Sequence, residues 1–565
     1  MSEPCTVYLS RPGAIASCGL NMQEIWSSVV AAASEGIKKT TTYSGKTFFA
    51  GRIDESQLPA VKARYDMKII RMEAAALSQV QNYINIAKDR YGADRISVCV
   101  GSCDNGSEFS VAAHRTYFNS GVFPASYEIE MQGADYVASF INETYGLQGQ
   151  SLAFATACSS SATALCRAAE LIRAGLSDAV VAGGVDIASD TVLLGFDSLK
   201  SVSPLPANPF SKNRSGITLG DAAAFFVLSR DSLVPDFPQV VLAGYGESSD
   251  AHHATAPDPE GDGAAFAMQQ ALQSAKITST QIDYLNLHGT GTELNDSMEA
   301  KAVSKVFADY KVPCSSTKSV TGHTLGAAGA LEAAICYETL IRNTGKSELQ
   351  FPLQNWDGQA DLSMPVLCLL DKNNHSVKSA EIKYCMSNSF AFGGANVSLI
   401  LGREDTTPVI PQELSKDVLA ELLPQKGKMF LLDKVLSWDA HSCTLCAECD
   451  INKKNIFYNE QLGGVPNWTC FEMMAQAVAA LSAINRILNR DPDKVRGGII
   501  LSVNSFMSSV PVFKGGSSLY IRVQEDFHAD KVWQYKCKVF KDLHCKEEAA
   551  SAMLTVMEIK LLEGK

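Results

Sequence analysis

Residues 154–175 read FATACSSSATALCRAAELIRAG and contain the transition that decides the fold. The apolar residues from Leu152 to Thr156 predict a buried strand. The small residues that follow lead into a segment whose apolar positions recur with helical spacing, and Gly175 is typical of a helix end. Asp178–Val185 predicts the next buried strand. The pattern therefore predicts a strand–helix–strand unit with Cys158 at the first turn.

Cys158 is a candidate nucleophile because it lies where the strand passes into the helix. A thiol at a helix N-terminus faces unpaired N–H groups and the positive end of the helix dipole, so its pKa is expected to fall. The alternative is an inert core thiol, which is common among free cysteines. The residues around Cys158 leave both readings open.

Two histidines downstream favour a nucleophilic Cys158 over an inert one. His288 is part of the sequence NLHGTGT, and Lys318 and His323 belong to KSVTGHTLGAAG. A lone histidine is usually structural, but two histidines followed by glycines, which let a substrate approach the backbone, favour an active site. The motifs therefore favour a catalytic role for Cys158.

Composition and charge narrow the class of protein. A chain of 565 residues with 46% hydrophobic and 19% charged residues predicts a globular protein of several domains. The net charge of −12 argues against nucleic acid as a partner. No apolar run is long enough to span a membrane, and the N-terminus lacks a signal sequence, so a cytoplasmic location is expected.

The sixteen cysteines are scattered along the chain, which predicts reduced thiols. Cys443, Cys446 and Cys449 form one dense cluster that suggests a metal site. Val435–Cys449 is interpreted as a strand, in which a spacing of three sends successive side chains to opposite faces. Because a tetrahedral site needs convergent ligands, no metal is expected there.

The chain alternates between predicted strands and helices in two successive series. The first includes helices at Met22–Ala33 and Tyr127–Thr144 and a strand at Ile96–Val100. The second includes helices at Gly263–Ala275, Ser297–Phe307 and Ala327–Ile341 and strands at Tyr284–Leu287 and Met386–Leu401. The alternation predicts a layered α/β fold of two similar halves, about 1–238 and 239–403, that share one active site.

The sequence changes character after residue 403. Residues 404–415 are polar and contain two prolines, which predicts a linker. Residues 416–565 contain one strongly apolar helix, Thr469–Leu488, and several strand-like segments. One long helix against an antiparallel sheet is an α+β architecture, so a separate domain is expected here.

The first 403 residues resemble the β-ketoacyl synthases of the thiolase superfamily. Besides the cysteine turn and the two histidine motifs, the resemblance rests on NPFSKNRSGITLGD at residues 208–221 and NSFAFGGAN at residues 388–396. It implies a thiolase-like fold with two mixed sheets between helical layers, usually in a homodimer. No cofactor is implied.

The resemblance also assigns roles around the nucleophile. Cys158 would carry the acyl group as a thioester, which splits the condensation into two steps. The backbone N–H groups of Cys158 and Phe392 would form the oxyanion hole, and Gly393 would permit the close approach. Phe392 also matches the family's gate between the acyl pocket and the malonyl site.

The histidines and the lysine complete the implied catalytic set. His288 and His323, neutral and donating, would stabilise the enolate formed when a malonyl thioester loses carbon dioxide. Lys318 would hold this network electrostatically. The Cys/His/His set is that of elongation enzymes; initiation-type synthases carry asparagine for one histidine, and degradative thiolases use a second cysteine.

The implied partner is an acyl carrier protein that brings acyl and malonyl groups on phosphopantetheine. A basic cluster precedes a predicted helix and is formed by Lys62, Arg64, Lys68 and Arg71. It is interpreted either as a solvated helix face or as the docking site of the acidic carrier. A homodimer or a heterodimer with another synthase is expected, and a structural or chain-length-setting partner without catalysis is the alternative function.

The C-terminal region resembles the hotdog-fold dehydratases that act on 3-hydroxyacyl carrier-protein thioesters, particularly those of aryl-polyene synthesis. The resemblance rests on residues 422–433 and 463–477, in which Glu472 matches the catalytic carboxylate. The histidine expected fourteen residues earlier is absent, since Tyr458 and Asn459 stand there.

Gln425 also replaces a histidine that often follows the Leu-Pro pair, while His441, His528 and His544 lie elsewhere in the region. Dehydration needs a positioned base as well as an acid. Two roles therefore stay open for this domain: a dehydratase, or a non-catalytic acyl-binding or dimerising domain.

Overall fold

The computed structural model describes residues 5–104, 106–234, 238–346, 348–375, 381–404, 410–440, 442–488, 496–529 and 532–560. The chain divides into two compact units. The first unit comprises residues 1–233 and 239–404, and the second comprises residues 234–238 and 405–565. Within the described residues, the helices are too short or too polar to cross a lipid bilayer.

The first unit alternates strands with helices. Its strands are β1 Tyr8–Leu9, β2 Gly13–Ala16, β3 Lys38–Thr41, β4 Thr47–Gly51, β5 Ile96–Gly101, β6 Ser151–Phe154, β7 Ala179–Asp186, β8 Leu219–Gly220, β9 Ala222–Ser229, β10 Gln239–Ser249, β11 Tyr284–Asn286, β12 Pro313–Ser315, β13 Cys368–Leu369, β14 Tyr384–Phe390 and β15 Ala395–Glu404. Its helices are α1 Met22–Val30, α2 Lys68–Tyr91, α3 Ser107–Ser120, α4 Tyr136–Tyr145, α5 Ser160–Arg173, α6 Asp190–Ser198, α7 Asp262–Ala275, α8 Glu293–Phe307, α9 Lys318–Thr321 and α10 Ala328–Arg342.

The main sheet repeats one arrangement in the two halves. Its strand order is β13-β12-β11-β14-β15-β10-β1-β9-β7-β5-β6, with β2 added to β9. In the first half, β6, β5 and β7 are parallel and β9 is antiparallel to β7. In the second half, β12, β11 and β14 are parallel and β15 is antiparallel to β14. The short strand β1 pairs with both β9 and β10, so the two sheets that the resemblance implies are continuous here.

Helices α5 and α10 form the buried centre of this unit. Both consist largely of small residues with little or no exposed surface. A β-carbon at Gly329 would lie 2.7 Å from that of Ala162, so glycine is required where the two helices meet. Because Cys158 precedes α5 and His323 precedes α10, the close contact of these helices brings the two side chains together.

The predicted layered fold is confirmed, with local differences. Met386–Leu401 is not one strand: β14 and β15 form a hairpin whose turn contains Phe392–Gly394. The predicted helix Tyr127–Thr144 is a short 3-10 turn, Ile129–Gln132, followed by α4. Helix α3 was not predicted, since only Ala113 of its residues is buried and its apolar periodicity is weak.

The second unit packs one long helix on an antiparallel sheet. Its strands are β16 Leu414–Ser415, β17 Lys434–Asp439, β18 Thr444–Asp450, β19 Gly464–Pro466, β20 Arg496–Ser508, β21 Val512–Lys514, β22 Ser518–Ala529, β23 Val532–Phe540 and β24 Glu548–Lys560, and its helices are α11 Lys416–Leu422 and α12 Cys470–Leu488. The larger sheet has the order β16-β17-β18-β22-β23-β24-β20, and β19 pairs with β21. Helix α12 buries Met473, Ala477, Leu481 and Ile484 without exposed surface or nearly so.

Two boundaries differ from the expected ones. Val435–Cys449 is a hairpin of β17 and β18, not a single strand. The expected linker, residues 404–415, starts at the last residue of β15 and ends in β16, and residues 405–409 lie outside the described residues. Leu414 is 2% exposed, because it already belongs to the core of the second unit.

Candidate active site

Cys158 lies in a tight turn between β6 and α5. The turn is a single 3-10 segment, Ala157–Ser159, and Ala157 has a φ of +53°. Left-handed backbone is unfavourable for alanine, and such strain is concentrated at functional sites. The hydroxyl of Ser160 braces the turn, since it donates to the carbonyl of Ala157 at 2.6 Å and accepts from the N–H of Thr156 at 2.9 Å. The thiol is thereby held at the N-terminal end of α5.

His323 faces the thiol directly. Its Nε2 lies 3.0 Å from the sulfur of Cys158. The backbone N–H of Leu325 donates to Nδ1 of the same ring at 3.3 Å. Because Nδ1 accepts a hydrogen bond, the proton of the neutral ring is on Nε2. His323 therefore presents an N–H donor to the space beside the sulfur.

His288 is held in the same tautomer by a buried ammonium. Nζ of Lys318 lies 3.4 Å from Nδ1 of His288, and Lys318 also forms an ion pair with Glu332. Lys318 can only donate, so Nδ1 of His288 accepts and the ring proton is on Nε2. The rings of His288 and His323 are 5.4 Å apart at an angle of 87°. Both histidines thus offer N–H donors at one site.

The loop of His288 is fixed by a carboxylate that the sequence motifs did not reveal. Glu299 accepts from the backbone N–H groups of His288 at 2.8 Å and Gly289 at 2.7 Å, and from the side chain of Asn388 at 3.3 Å. Burial raises the pKa of Glu299 and these donors oppose the rise, so that the pKa is about 7. The sequence signal for this carboxylate was a charged residue on the buried face of helix α8.

Burial sets the protonation states of the site. It lowers the pKa of His288 and His323 well below the ordinary range, and Lys318 adds to the effect on both rings. Both imidazoles are therefore neutral at pH 7. Burial also raises the pKa of Cys158 to about 11, although Lys318 and the backbone N–H of Phe392 act in the opposite direction. The expected fall in the pKa of Cys158 is wrong, because desolvation outweighs the helix terminus and the nearby cation.

The turn between β14 and β15 closes over the thiol. The backbone N–H of Phe392 donates to the sulfur of Cys158. Gly393 has a φ of +82°, and its N–H donates to the carbonyl of Ala254 at 2.9 Å. A β-carbon at Gly393 would have no atom within 4 Å, so the backbone conformation, not space, requires glycine there. The ring of Phe392 lies 5.8 Å from that of Phe196.

A cavity of about 360 Å³ connects the buried catalytic groups with the surface. Cys158, His288 and His323 lie at its inner end, and Phe392 forms part of its wall. Hydroxyl and amide side chains also line the cavity, namely Ser201, Ser215, Thr255, Thr290, Thr292, Asn295 and Asn396. This lining can hydrogen-bond an extended polar tether that delivers a thioester to the sulfur.

Comparison with known proteins agrees with this arrangement. The model of the β-ketoacyl synthase N-terminal domain matches residues 50–233, and that of the C-terminal domain matches residues 240–351. The 3-oxoacyl-[acyl-carrier-protein] synthase 2 of Coxiella burnetii is 31% identical over 427 residues, which cover 71% of this chain and 99% of the relative. The chain belongs to the β-ketoacyl synthase family. The enzyme of the same name from Vibrio cholerae is 32% identical over 70% of this chain and 99% of its own length.

Solved ketosynthases share the fold. One chain of the solved complex of the ketosynthase ApeO with its chain length factor ApeC, from Xenorhabdus doucetiae, is 36% identical with a TM-score of 0.64, and the match covers 71% of this chain and 98% of that chain. The ishigamide ketosynthase/chain length factor is 25% identical with a TM-score of 0.62. The family model of the ApeP dehydratase matches residues 418–563. This chain is thus a condensing acyltransferase of the synthase family with a dehydratase-like C-terminal region.

The predicted docking cluster of the synthase is largely committed to ion pairs. Lys68 is not a surface residue: its ammonium lies 2.7 Å from the carboxylate of Asp221, and its side chain is 10% exposed. Arg64 faces Glu128 at 3.7 Å and Glu143 at 3.4 Å. Lys68 therefore adds no freely exposed charge to this cluster, because Asp221 compensates its ammonium; that the cluster docks the carrier stays a prediction.

The other two members of the cluster are on the surface. Arg71 faces Glu55 at 3.6 Å and lies 2.5 Å from Asp66. Lys62 is exposed, and the described residues provide no ion pair for it. Of the four predicted cations, Lys62 alone is thus left without an acidic partner in the part of the chain that the structure describes.

In the C-terminal region, Glu472 is half-buried in the first turn of α12. Its carboxylate accepts from Nε2 of Gln476 at 3.0 Å. Gln476 is itself completely buried, donates to the carbonyl of Met429 at 2.7 Å and accepts from the N–H of Leu431 at 2.8 Å. Glu472 is therefore held in one orientation by a fixed amide.

The positions where a histidine was expected hold other groups. The side chain of Asn459 accepts from the N–H groups of Gln461 at 2.9 Å and Leu462 at 3.0 Å, so it stabilises its own turn. The side-chain oxygen of Gln425 is buried and has no partner among the described residues. His528 is exposed beside Glu525 at 2.7 Å, and His441 lies outside the described residues. In the part of the chain that the structure describes, the carboxylate of Glu472 is hydrogen-bonded to Gln476 and to no histidine.

Proposed function

We propose that residues 1–403 catalyse the decarboxylating condensation of an acyl group with a malonyl thioester of an acyl carrier protein. The observation that carries this is the convergence of three reactive groups at the inner end of the cavity: one nitrogen each of His288 and His323 and the sulfur of Cys158 all lie within 4.8 Å of one another. A thiol beside two neutral N–H donors suits thioester chemistry, because one group carries the acyl chain and the others stabilise an oxyanion.

The first half-reaction transfers the acyl group. The sulfur of Cys158 attacks the acyl thioester as it loses its proton, the carrier thiol takes up a proton as it leaves, and an acyl-cysteine remains. The N–H of Phe392, already directed at the sulfur, is placed to stabilise the negative oxygen of the tetrahedral intermediate together with the N–H of Cys158. Because burial raises the pKa of Cys158, proton loss is coupled to attack and the resting enzyme holds a neutral thiol.

The second half-reaction forms the carbon–carbon bond. The malonyl thioester loses carbon dioxide, and the Nε2–H groups of His288 and His323 donate to the enolate oxygen. The α-carbon attacks the acyl-cysteine, the 3-oxoacyl product leaves on its carrier, and the sulfur of Cys158 takes up a proton. Lys318 fixes the donating tautomer of His288, and its charge opposes a metal ion at the same three side chains.

Substitution of Cys158 by alanine tests this function. The variant removes one sulfur atom from a buried site, so it should fold normally but form no 3-oxoacyl product from acyl and malonyl carrier proteins. Product mass is measured after incubation of the full chain. Product formation at the normal rate by Cys158→Ala would overturn the assignment.

The alternative function is that of a structural or chain-length-setting partner of another synthase. The complex of ApeO with its chain length factor is an example of such an association. The 3.0 Å contact of Cys158 with His323 favours catalysis, since a partner subunit does not need a nucleophile. A chain that binds an active synthase and changes its product length, but yields no product alone, would support the alternative.

We also propose that the synthase works as a dimer, with itself or with another synthase. Strand β6 ends the main sheet beside the turn of Cys158, so its outer edge is free for pairing among the described strands. Helix α3 and the following loop expose Tyr117, Phe118, Val122 and Ile129, with Phe118 81% exposed. An open strand edge and an exposed apolar surface are each typical of a protein interface. Size-exclusion chromatography with light scattering tests this state.

For the C-terminal region we propose acyl binding beside Glu472 and Trp468 with weak or no dehydration. The match to the ApeP dehydratase model supports a hotdog domain at residues 416–565, after a linker at 404–415 and a synthase whose halves are about 1–238 and 239–403. The fixed Glu472 supports binding, while the absence of a histidine at Tyr458 and Asn459 argues against rapid turnover.

A cytoplasmic location is proposed too, because all sixteen cysteines are free thiols.

A further inference from the structure

The turns beside Cys158 and His323 both contain a residue with left-handed backbone. Ala157, which precedes the nucleophile, has a φ of +53°, and Leu325, two residues after His323, has a φ of +52°. Neither residue is a glycine, and such a conformation persists only where the surrounding structure holds it. Because relaxation of either turn would move a catalytic group, the contacts that hold the turns matter for the reaction.

Asp186, the last residue of β7, is bonded to a residue beside each turn. It is 1% exposed. Its Oδ2 accepts from the backbone N–H of Cys103 at 2.9 Å and from that of Gly326 at 2.8 Å, and its Oδ1 accepts from the N–H of Ile187 at 3.1 Å. Hydrogen bonds to a carboxylate are stronger than those between neutral groups. One buried oxygen therefore fastens two separate segments.

The bond to Gly326 acts on His323. Leu325 and Gly326 donate through consecutive N–H groups, the first to Nδ1 of His323 at 3.3 Å and the second to Asp186. The direction of the first N–H depends on the left-handed backbone of Leu325, which the bond at Gly326 holds in place. Since this N–H keeps the ring proton of His323 on Nε2, Asp186 influences the donor that faces the thiol.

The bond to Cys103 acts on the other turn. The thiol of Cys103 donates to the carbonyl of Ala157 at 3.2 Å and lies 3.7 Å from the hydroxyl of Ser160. Both groups belong to the segment that holds the nucleophile. With its N–H anchored on Asp186, Cys103 therefore supports Ala157 in its left-handed conformation.

We propose that Asp186 is a positioning residue for the condensation, which fixes the turns of Cys158 and His323 relative to each other through the N–H groups of Cys103 and Gly326. The inference rests on the proposed function, because it concerns the same reaction. Asp186 acts through these turns and not by contact with substrate. Its loss should therefore lower kcat more than it raises KM, since substrate still binds but meets misaligned groups.

Two substitutions at Asp186 test this role in the full chain. Asp186→Ala removes both anchors, and we expect kcat for 3-oxoacyl formation to fall about tenfold or more while KM changes less than about twofold. Asp186→Asn keeps one oxygen for the two donors, so kcat should stay within about threefold of that of the unaltered chain. The assays are run at pH 8, because burial and the nearby Asp104 raise the pKa of Asp186 to about 7.

Asp283 provides a matched control. One of its carboxylate oxygens also accepts from two backbone N–H groups, those of Lys383 at 2.7 Å and Tyr384 at 3.0 Å. It precedes β11, at the opposite end of that strand from His288. Asp283→Ala should lower the melting temperature but leave kcat unchanged. A normal kcat in Asp186→Ala, or an equal fall in Asp283→Ala, would overturn the positioning role.

Gly326→Ala tests the anchor of His323 from its other side and serves if Asp186→Ala fails to fold. A β-carbon at Gly326 would lie 2.8 Å from Oδ2 of Asp186, so it forces the turn away from the carboxylate. Carbon dioxide release from malonyl carrier protein should fall about tenfold. Normal release from a folded Gly326→Ala protein would contradict the proposal.

Nitrogen-15 spectra of histidine-labelled protein test the structural step without turnover. In the unaltered chain, Nδ1 of His323 should be unprotonated and Nε2 protonated, whereas Asp186→Ala should mix the two tautomers. His288 is the internal reference, because Lys318 sets its tautomer. An unchanged His323 ring in Asp186→Ala would overturn the proposal. Absence of product from the unaltered chain, with the tautomer shift present, would instead overturn the proposed function.

Discussion

The ammonium of Lys318 lies 3.4 Å from Nδ1 of His288 and makes that histidine a hydrogen-bond donor on its other side. Lys318 is 1% exposed and is balanced by Glu332, which is also buried. The pair therefore acts on the site through the proton of His288, not by contact with substrate. Glu332 is the one charged residue among the small and apolar residues of the first half of α10, from Ala328 to Cys336, which is where a positioning carboxylate can be recognised.

Removal of Lys318 should affect stability and catalysis separately. Lys318→Met leaves Glu332 buried without a cation, which we expect to cost about 3–5 kcal/mol of unfolding free energy. It also frees Nδ1 of His288, so carbon dioxide release should fall about 100-fold. Thermal unfolding and gas release from malonyl carrier protein measure the two effects.

The double variant Lys318→Met/Glu332→Leu is the control. It removes the uncompensated charge, so stability should return while carbon dioxide release stays low. Recovery of both properties in the double variant would show that Lys318 has only a structural role.

The two half-reactions should be separable at His323. Nε2 of His323 lies 3.0 Å from the sulfur of Cys158 and carries the proton of the ring. The acyl group is bound by Cys158, so its transfer to the enzyme does not need His323. We expect His323→Ala to retain acyl label on Cys158 while carbon dioxide release falls about 100-fold or more. Mass spectrometry of the acylated peptide and radiometric gas release check this. His528→Ala, an exposed histidine, should change neither; normal gas release from His323→Ala would exclude that ring from the second step.

Much of the fold could be predicted because the spacing of apolar residues along the chain reflects which side chains are buried. Helix α5 was predicted from apolar spacing, and the motif order implied the synthase family. The buried strand predicted at Leu152–Thr156 is instead β6, a half-buried strand at the edge of the sheet that ends at Phe154. Hairpins were missed where both strands are apolar and the turn is short, as at Phe392, because a continuous apolar run hides a reversal.

The surroundings of charged and titratable side chains were harder to predict than the helices and strands. The sequence shows Lys68 beside other cations, but its partner, Asp221, is 153 residues away and buried in the folded chain. The pKa of Cys158 was predicted to fall from its place at a helix start, whereas full burial raises it. Both errors have one cause: local sequence reveals neither tertiary desolvation nor a distant counter-charge.

Glu73 makes stability depend on pH. It lies on α2 with no exposed surface, and neither carboxylate oxygen has a hydrogen-bond partner among the described residues. Burial raises the pKa of Glu73 well above its ordinary value of 4.5. The folded chain therefore keeps this proton after the unfolded chain has lost it, so Glu73 costs stability as pH rises from about 4.5 towards the folded pKa.

Glu73→Gln should remove this dependence. The variant should gain stability relative to the unaltered chain by up to about 1.4 kcal/mol per pH unit above pH 5. Apparent melting temperatures at pH 5, 6.5 and 8 measure the gain. Glu35→Gln changes an exposed carboxylate and should show no such trend. A constant difference between Glu73→Gln and the unaltered chain at all three pH values would mean that Glu73 is ionised in the folded state.

The C-terminal region provides the last prediction, because its residues and its resemblance differ. Glu472 is oriented by Gln476, yet the positions expected to hold a base carry Tyr458 and Asn459. Neither position supplies an imidazole, and the amide of Asn459 is engaged in its own turn. We expect the full chain in a Cys158→Ala background to bind 3-hydroxyacyl carrier protein but to form enoyl product slowly or not at all.

The matched variants are Glu472→Gln, which removes the charge, and Gln476→Leu, which removes the group that orients it. If the domain only binds, both should weaken association with the 3-hydroxyacyl carrier without changing a background rate of enoyl formation. Rapid enoyl formation that disappears in Glu472→Gln would contradict this prediction and make the chain a bifunctional synthase and dehydratase. Partial loss in Gln476→Leu, with an unchanged melting temperature, would then identify Gln476 as a positioning residue, because its amide holds Glu472 at 3.0 Å.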